Sequence, residues 1–170
     1  QVQVVSSSGN SSAFLYISGG WDLSTEKQTG QTWFRQMHGT FNNRYGYGLY
    51  MTGKSYTNLD KLNFLRYNNG INCYSNSNNN TITSATCNSN NAAGIQFTGG
   101  NNNTITSATC NSNNGSGIYY TTGGNHNITS ATCNSNTNYG IYYYNSNNNT
   151  ITSATCNSNN YGIYYTGSSN

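Results

Sequence analysis

Proline is absent from this chain, and charge nearly so: charged residues make up 5% of it, against about 25% in an average domain. The scarcity is uneven. All six Lys and Arg residues (Lys27, Arg35, Arg44, Lys54, Lys61, Arg66) and all three carboxylates (Asp22, Glu26, Asp60) fall within residues 1–66, and residues 67–170 carry none. The net charge of +3 is therefore an N-terminal property. Nucleic-acid binding calls for a clustered basic face, which these scattered cations do not make. No apolar run approaches the roughly 18 residues that mark a membrane span.

The shortage of acids bears on catalysis. Glycosidases place a pair of carboxyl groups across the bond they cut. Here Asp22 and Glu26 lie in a non-repeating N-terminal segment and Asp60 stands alone. The sequence therefore reads as non-enzymatic, with no catalytic residue, no metal site and no cofactor. His38 and His126 have no acid or cysteine close by in sequence, and His126 is expected as a solvated turn residue. The chain opens on Gln1 without a signal-peptide pattern, which reads as a mature or excised terminus. The polar composition suits a secreted, extracellular or cell-surface location.

What the chain has in abundance is Asn, Ser, Thr, Gly and Tyr, and they repeat. Ile82, Ile105, Ile128 and Ile151 recur at a spacing of 23, as do Cys87, Cys110, Cys133 and Cys156. The block TITSATCNSN fills 81–90, 104–113 and 150–159, with NITSATCNSN at 127–136. Between these blocks run GIQF at 94–97 and GIYY at 117–120, 140–143 and 162–165. A degenerate copy begins at Gly48-Leu49-Tyr50-Met51, so about five coils fit between Gly48 and Asn170, the last incomplete. A short period of this kind marks stacked units that bury a core only together.

The degenerate coil orients the side chains. Adding one period maps Leu59 to Ile82, Leu62 to Ala85, Phe64 to Cys87 and Asp60 to Thr83. Positions that hold Leu and Phe face inward, and one that tolerates Asp is expected to face water. Strand alternation then sets Thr81 and Thr83 outside. In the GIYY strand, Leu49, Ile71, Ile95, Ile118, Ile141 and Ile163 form one inward column. Met51, Cys73, Phe97, Tyr120, Tyr143 and Tyr165 form a second. Asn, Thr, Ser and Gly are poor helix formers and the apolar spacing is two, so the fold class is all-β: a right-handed parallel β-helix, or solenoid, of about 23 residues per coil. Identical residues then stack about 4.8 Å apart, which suits ladders of Asn amides. Asn and Gly are expected to take the left-handed corners.

The repeating GIYY…NNTITSATCNSNN resembles the parallel β-helix repeats of carbohydrate-binding and sugar-hydrolase proteins, including periplasmic copper-processing factors and pectate-lyase-like folds. The resemblance covers residues 46–170. It implies the fold; for function it spans enzymes, adhesins and inert shafts. The lyases of this kind use acidic clusters with calcium and a basic residue on the solenoid face, which residues 67–170 do not offer.

Residues 1–45 do not repeat. They read as an N-terminal capping segment with strands near Ala13–Ile17 and Gln31–Met37, and with Trp21, Trp33 and Phe34 as covering bulk. Residues 46–170 form the repeat array. The cysteines read as a buried column of free thiols, and disulfides between neighbouring rungs stay open because the rung spacing falls in the permitted range.

Three surfaces are candidate sites. The outer tyrosines Tyr50, Tyr119, Tyr142 and Tyr164 are placed to stack on glycans. The outward columns Thr81, Thr104, Thr150 and Thr83, Thr106, Thr129, Thr152 form a Thr-x-Thr grid like the face of insect-type ice-binding β-helices, interrupted by Asn127 and by Asn58 and Asp60 in the first coil. The last rung, with Tyr161, Ile163 and Tyr165, is an unpaired edge expected to recruit Val2 and Val4, or Leu15 and Ile17, of another copy. The leading expectation is thus a structural solenoid that assembles head to tail with itself into a filament or fibre shaft, with a carbohydrate-binding adhesin and an ice-binding protein as alternatives. Sequons at Asn10, Asn79, Asn102, Asn127 and Asn148 are numerous in so Asn-rich a chain.

Overall fold

The computed structural model describes residues 46–167, together with the strand backbones at 3–4, 15–18, 21–22, 27–28 and 32–35. In chain order the strands are β1 (Gln3–Val4), β2 (Leu15–Ser18), β3 (Trp21–Asp22), β4 (Lys27–Gln28), β5 (Thr32–Arg35) and β6 (Tyr47–Thr52). Next come β7 (Thr57–Asp60), β8 (Leu62–Leu65), β9 (Asn69–Tyr74), β10 (Thr81–Thr83), β11 (Thr86–Asn88) and β12 (Ile95–Thr98). The last are β13 (Thr104–Thr106), β14 (Ser116–Gly124), β15 (Asn127–Thr129), β16 (Tyr139–Asn147), β17 (Thr150–Thr152) and β18 (Tyr161–Thr166).

Three parallel sheets wrap one core as a solenoid. The first runs β1-β6-β9-β12-β14-β16-β18, the second β17-β15-β13-β10-β7-β2, and the third β11-β8-β5. Among the described residues, only β3 and β4 pair antiparallel. The non-repeating N-terminal segment continues the same sheets: β1 pairs with β6, β2 with β7 and β5 with β8, all parallel. Its expected covering role rests on Trp21, Trp33 and Phe34, whose side chains lie outside the described residues.

The inward columns fall where the degenerate coil puts them. Leu59 pairs with Ile82, Ile82 with Ile105, Ile105 with Ile128 and Ile128 with Ile151. Ile82, Ile105, Ile128, Cys87, Cys110 and Cys133 are fully buried, and Ile151 and Cys156 on the outermost coil are partly so. The five cysteines are free thiols, which settles the question left open above. Hydrogen bonding to Cys133 and then burial push the Cys156 thiol well up from its ordinary range. In the first sheet Phe97, Tyr120, Tyr143 and Tyr165 stack in register, with ring centroids 5.0, 5.2 and 4.8 Å apart.

The period is not uniform. From β7 to β17 the second sheet keeps 23 residues per coil, but the first is one residue short from Leu49 to Ile71 and from Ile141 to Ile163, and one long from Ile71 to Ile95. The corners absorb the difference, so the apolar columns stay aligned.

Corner asparagines hold adjacent coils together. Tyr67 donates its backbone N–H to Asn90 Oδ1 at 3.0 Å, Asn90 to Asn113 at 2.9 Å, Asn113 to Asn136 at 2.9 Å and Asn136 to Asn159 at 2.7 Å. The Asn90 and Asn113 side-chain amides each donate to the next Oδ1 as well, at 3.0 Å. A second ladder begins where Thr57 N–H donates to Asn80 Oδ1 at 2.9 Å and Asn80 N–H to Asn103 Oδ1 at 2.9 Å. The expected amide stacking is present, and its main partner is the backbone N–H of the coil below. These buried donors would otherwise be orphaned at the bends between sheets.

Three local expectations need correction. Left-handed corners fall to Ser as well as to Asn: Ser84, Ser107, Ser130 and Ser153 have φ of 53 to 56°. Asp60 is only 8% exposed, so its position in the first coil is covered rather than solvated. His126 is 1% exposed, not a solvated turn residue. It occupies the rung that Asn fills elsewhere: Asn103 N–H donates to its Nδ1 at 3.3 Å, its own N–H donates to Asn149 Oδ1 at 3.0 Å, and its ring stacks on Tyr120 at 4.0 Å. His38 lies outside the described residues.

The glycine of GIYY is there for close approach rather than a turn. A Cβ on Gly117 would lie 2.6 Å from the Gly140 carbonyl oxygen and 2.8 Å from Cys133 Cβ, and one on Gly94 would lie 2.7 Å from the Gly117 oxygen. Only a bare Cα lets this strand pass the thiol column. Gly117→Ala should therefore destabilise the protein by about 2–3 kcal/mol, the range of an overpacked core. Denaturant titration checks this; an unchanged midpoint would contradict the close packing.

His126 makes stability depend on pH. Burial lowers its pKa to about 4, and protonating Nδ1 would set a donor against the Asn103 N–H. The unfolded chain takes up this proton near pH 6.5, so stability falls as the pH drops from about 6.5 to about 4, by about 3 kcal/mol in all. His126→Asn restores the ladder and should remove that slope. Equal acid sensitivity of the two proteins, measured by unfolding at pH 7 and pH 4, would refute this.

Candidate functional site

Strand alternation points Tyr119, Tyr142 and Tyr164 out of the first sheet, one above another. Tyr119 and Tyr142 stack at 4.9 Å with planes 3° apart, and Tyr142 and Tyr164 lie 5.6 Å apart. Tyr50 is not with them. Asn72 and Gln96 occupy the intervening rungs of its column, and its ring stacks on Tyr47 at 5.0 Å.

The structure adds tyrosines that the sequence reading left out. Tyr139 stacks on Tyr142 at 4.5 Å, on Tyr164 at 5.2 Å and on Tyr161 at 5.5 Å. The legible signal was NYGIYY at 138–143 and again at 160–165, a tyrosine just before the glycine where the three preceding coils have Asn69, Ala93 and Ser116. Burial and then the neighbouring phenols raise the Tyr139 pKa, so it stays neutral.

Within the ladder each ring turns a face to the ring of the next coil. The ladder stops at Tyr119, because the rung below holds Gln96, and beside this break lies a cleft of about 270 Å³. Tyr119, Tyr139 and Tyr142 wall it, Ala92, Ala93 and Gly115 line it, and Gln96, Ser116 and Asn138 bring polar groups. Gln96 is held in place: its Oε1 accepts from Asn69 Nδ2 at 2.6 Å and its Nε2 donates to Thr98 Oγ1 at 3.1 Å. A concave site that joins aromatic walls to a few fixed polar groups is the usual form of a ligand pocket.

The threonine grid forms as expected on the second sheet. Thr81 pairs with Thr104 and Thr104 with Asn127, then Asn127 with Thr150; Thr83, Thr106, Thr129 and Thr152 pair in sequence. Thr86, Thr109, Thr132 and Thr155 bridge in a further column on the adjoining face. The sequon residues Asn79, Asn102 and Asn148 occupy left-handed corners, with φ of 52 to 56°. The sequon pattern thus follows from a corner Asn, a ladder residue and a strand Thr. Asn10 lies outside the described residues.

Tyr161, Ile163 and Tyr165 are 49, 45 and 38% exposed. Their exposure follows from their place on the last described rung. Leu15 and Ile17 are paired within the chain, through β2 to β7, and Val4 through β1 to β6. Val2 lies outside the described residues.

Comparison with known proteins agrees with this architecture. The family model for the right-handed β-helix region matches residues 38–170. The chain belongs to that family, and its solenoid is right-handed. No curated protein matches it. Among solved structures it is similar to two mutants of the periplasmic alginate epimerase AlgG. One is 13% identical with a TM-score of 0.55, covering 71% of this chain and 35% of that one. The other is 12% identical with a TM-score of 0.55, covering 72% and 36%. The chain thus spans about a third of the length of these structures, and what it shares with them is the fold.

This overturns the expectation that the chain is not an enzyme. Both neighbours are structures of an enzyme with a similar fold. The scarcity of carboxylates and cations along residues 67–170 therefore does not decide the question of catalysis. Among the described residues, no helix is long and apolar enough to cross a membrane.

Proposed function

We propose that this solenoid is a secreted protein that binds carbohydrate in the tyrosine-walled cleft of its first sheet. The observation that carries the reading is the break in the tyrosine ladder. Tyr119, Tyr139 and Tyr142 there border an open cleft with Gln96, Ser116 and Asn138. Sugars present apolar C–H faces and hydroxyl edges, and aromatic rings beside amides and hydroxyls satisfy both. Where the ladder is regular, ring faces stack on one another, as Tyr119 does on Tyr142; on the other side of Tyr119 the rung holds Gln96 in place of a ring. The carbohydrate-processing neighbours, and their periplasmic location, are consistent with the reading.

Affinity electrophoresis through gels containing a panel of polysaccharides tests it. Migration of the protein should be retarded by at least one of them. Tyr139→Ala should weaken retention about tenfold, whereas Tyr50→Ala, on the separate Tyr47 stack, should leave it unchanged. Equal loss from both substitutions, or from neither, would count against the cleft.

A further inference from the structure

We infer that the cleft takes one or two rings of an uncharged glycan rather than a length of polyanion, an inference that rests on the carbohydrate-binding reading. Size is the first ground. Pockets that enclose a drug-sized ligand measure about 300–1,000 Å³, and this cleft, at about 270 Å³, lies just below that range. Along the solenoid axis it is bounded by rings, because Tyr142 stacks on Tyr139 and packs against Tyr164 at a tilt of 43°. A long chain lying across many coils would meet ring edges there, not open faces.

Charge is the second ground. None of the residues around the cleft is charged, and neither is any residue from 67 to 170. Arg66 ends the charged part of the sequence; it lies one residue beyond the Leu65–Asn88 pair, on the coil below, and does not line the cleft. A uronate ring placed against Tyr139 would bring a carboxylate into a partly desolvated site with no cation, which is costly. Hydroxyls suit the site instead. Gln96, Ser116 and Asn138 donate and accept, and the neutral phenol of Tyr139 does both. The fixed amide of Gln96 is set to tell one hydroxyl pattern from another, since Asn69 and Thr98 hold its orientation.

Titration calorimetry on the whole protein distinguishes the outcomes, with neutral β-glucan and mannan oligosaccharides set against oligomannuronate from alginate. At least one neutral probe should bind, at least about tenfold more tightly than the oligomannuronate, and its affinity should hold as salt is raised, since no charges are there to screen. Gln96→Lys should raise affinity for oligomannuronate severalfold, with a thermal melt confirming that the coils remain folded. Oligomannuronate binding as tightly as every neutral probe would overturn the inference and leave the carbohydrate reading standing. If no saccharide binds, both fall.

Discussion

The structure depends on in-register stacking, in which each coil satisfies the bends of its neighbour. At each bend between sheets the backbone leaves an N–H with no strand partner. The Asn one coil away accepts it, as Asn113 Oδ1 does from Asn90 and Asn136 Oδ1 from Asn113. Each such bond contributes only about 1 kcal/mol net, but leaving its donor buried and bare would cost more. A slip of one residue would break the ladder and turn the isoleucine and cysteine columns outward together. Register, core and corner are thus one constraint, and Gly94 and Gly117 are part of it, because the strand they open must pass the thiol column without a Cβ.

That constraint also decides where function can sit. Perfect repetition occupies its own surfaces: stacked tyrosines cover one another, and corner amides bond to the adjacent coil. An opening arises where the repeat is broken. Gln96 stands where later coils have Tyr119 and Tyr142, and Ser116 where they have Tyr139 and Tyr161. The smaller residues leave the cleft, and the larger ones on the following coil wall it. The lack of charge along residues 67–170 follows from the same economy of residue types.

Much of this was legible in the residues. Leu59, Leu62 and Phe64 identified the inward face because a degenerate coil shows which positions admit bulk, and the buried columns follow them. What escaped was whatever depends on contacts between coils at non-equivalent positions. His126 read as a turn residue because its counterpart Asn103 is polar and sits in a corner, yet that corner points inward and both are buried. Tyr50 was grouped with Tyr119 by column, but Asn72 and Gln96 separate them. Tyr139 lies before the glycine and was passed over, although it contacts more of the tyrosine cluster than Tyr119 does. The judgement against catalysis counted acids and bases, and the fold shared with an epimerase shows that such a count does not settle activity.

The central claim, that each coil is an interchangeable rung held by its neighbours' ladders, is tested most directly by removing one. Deleting residues 104–126 takes out one period and joins Asn103 to Asn127, which pairs in register with the deleted Thr104. The account predicts a shorter protein that keeps its β-sheet circular dichroism and a single cooperative thermal transition, with a lowered midpoint as expected for a solenoid with fewer nearest-neighbour interfaces. Loss of cooperative unfolding, or a chain that collapses without sheet signal, would contradict it.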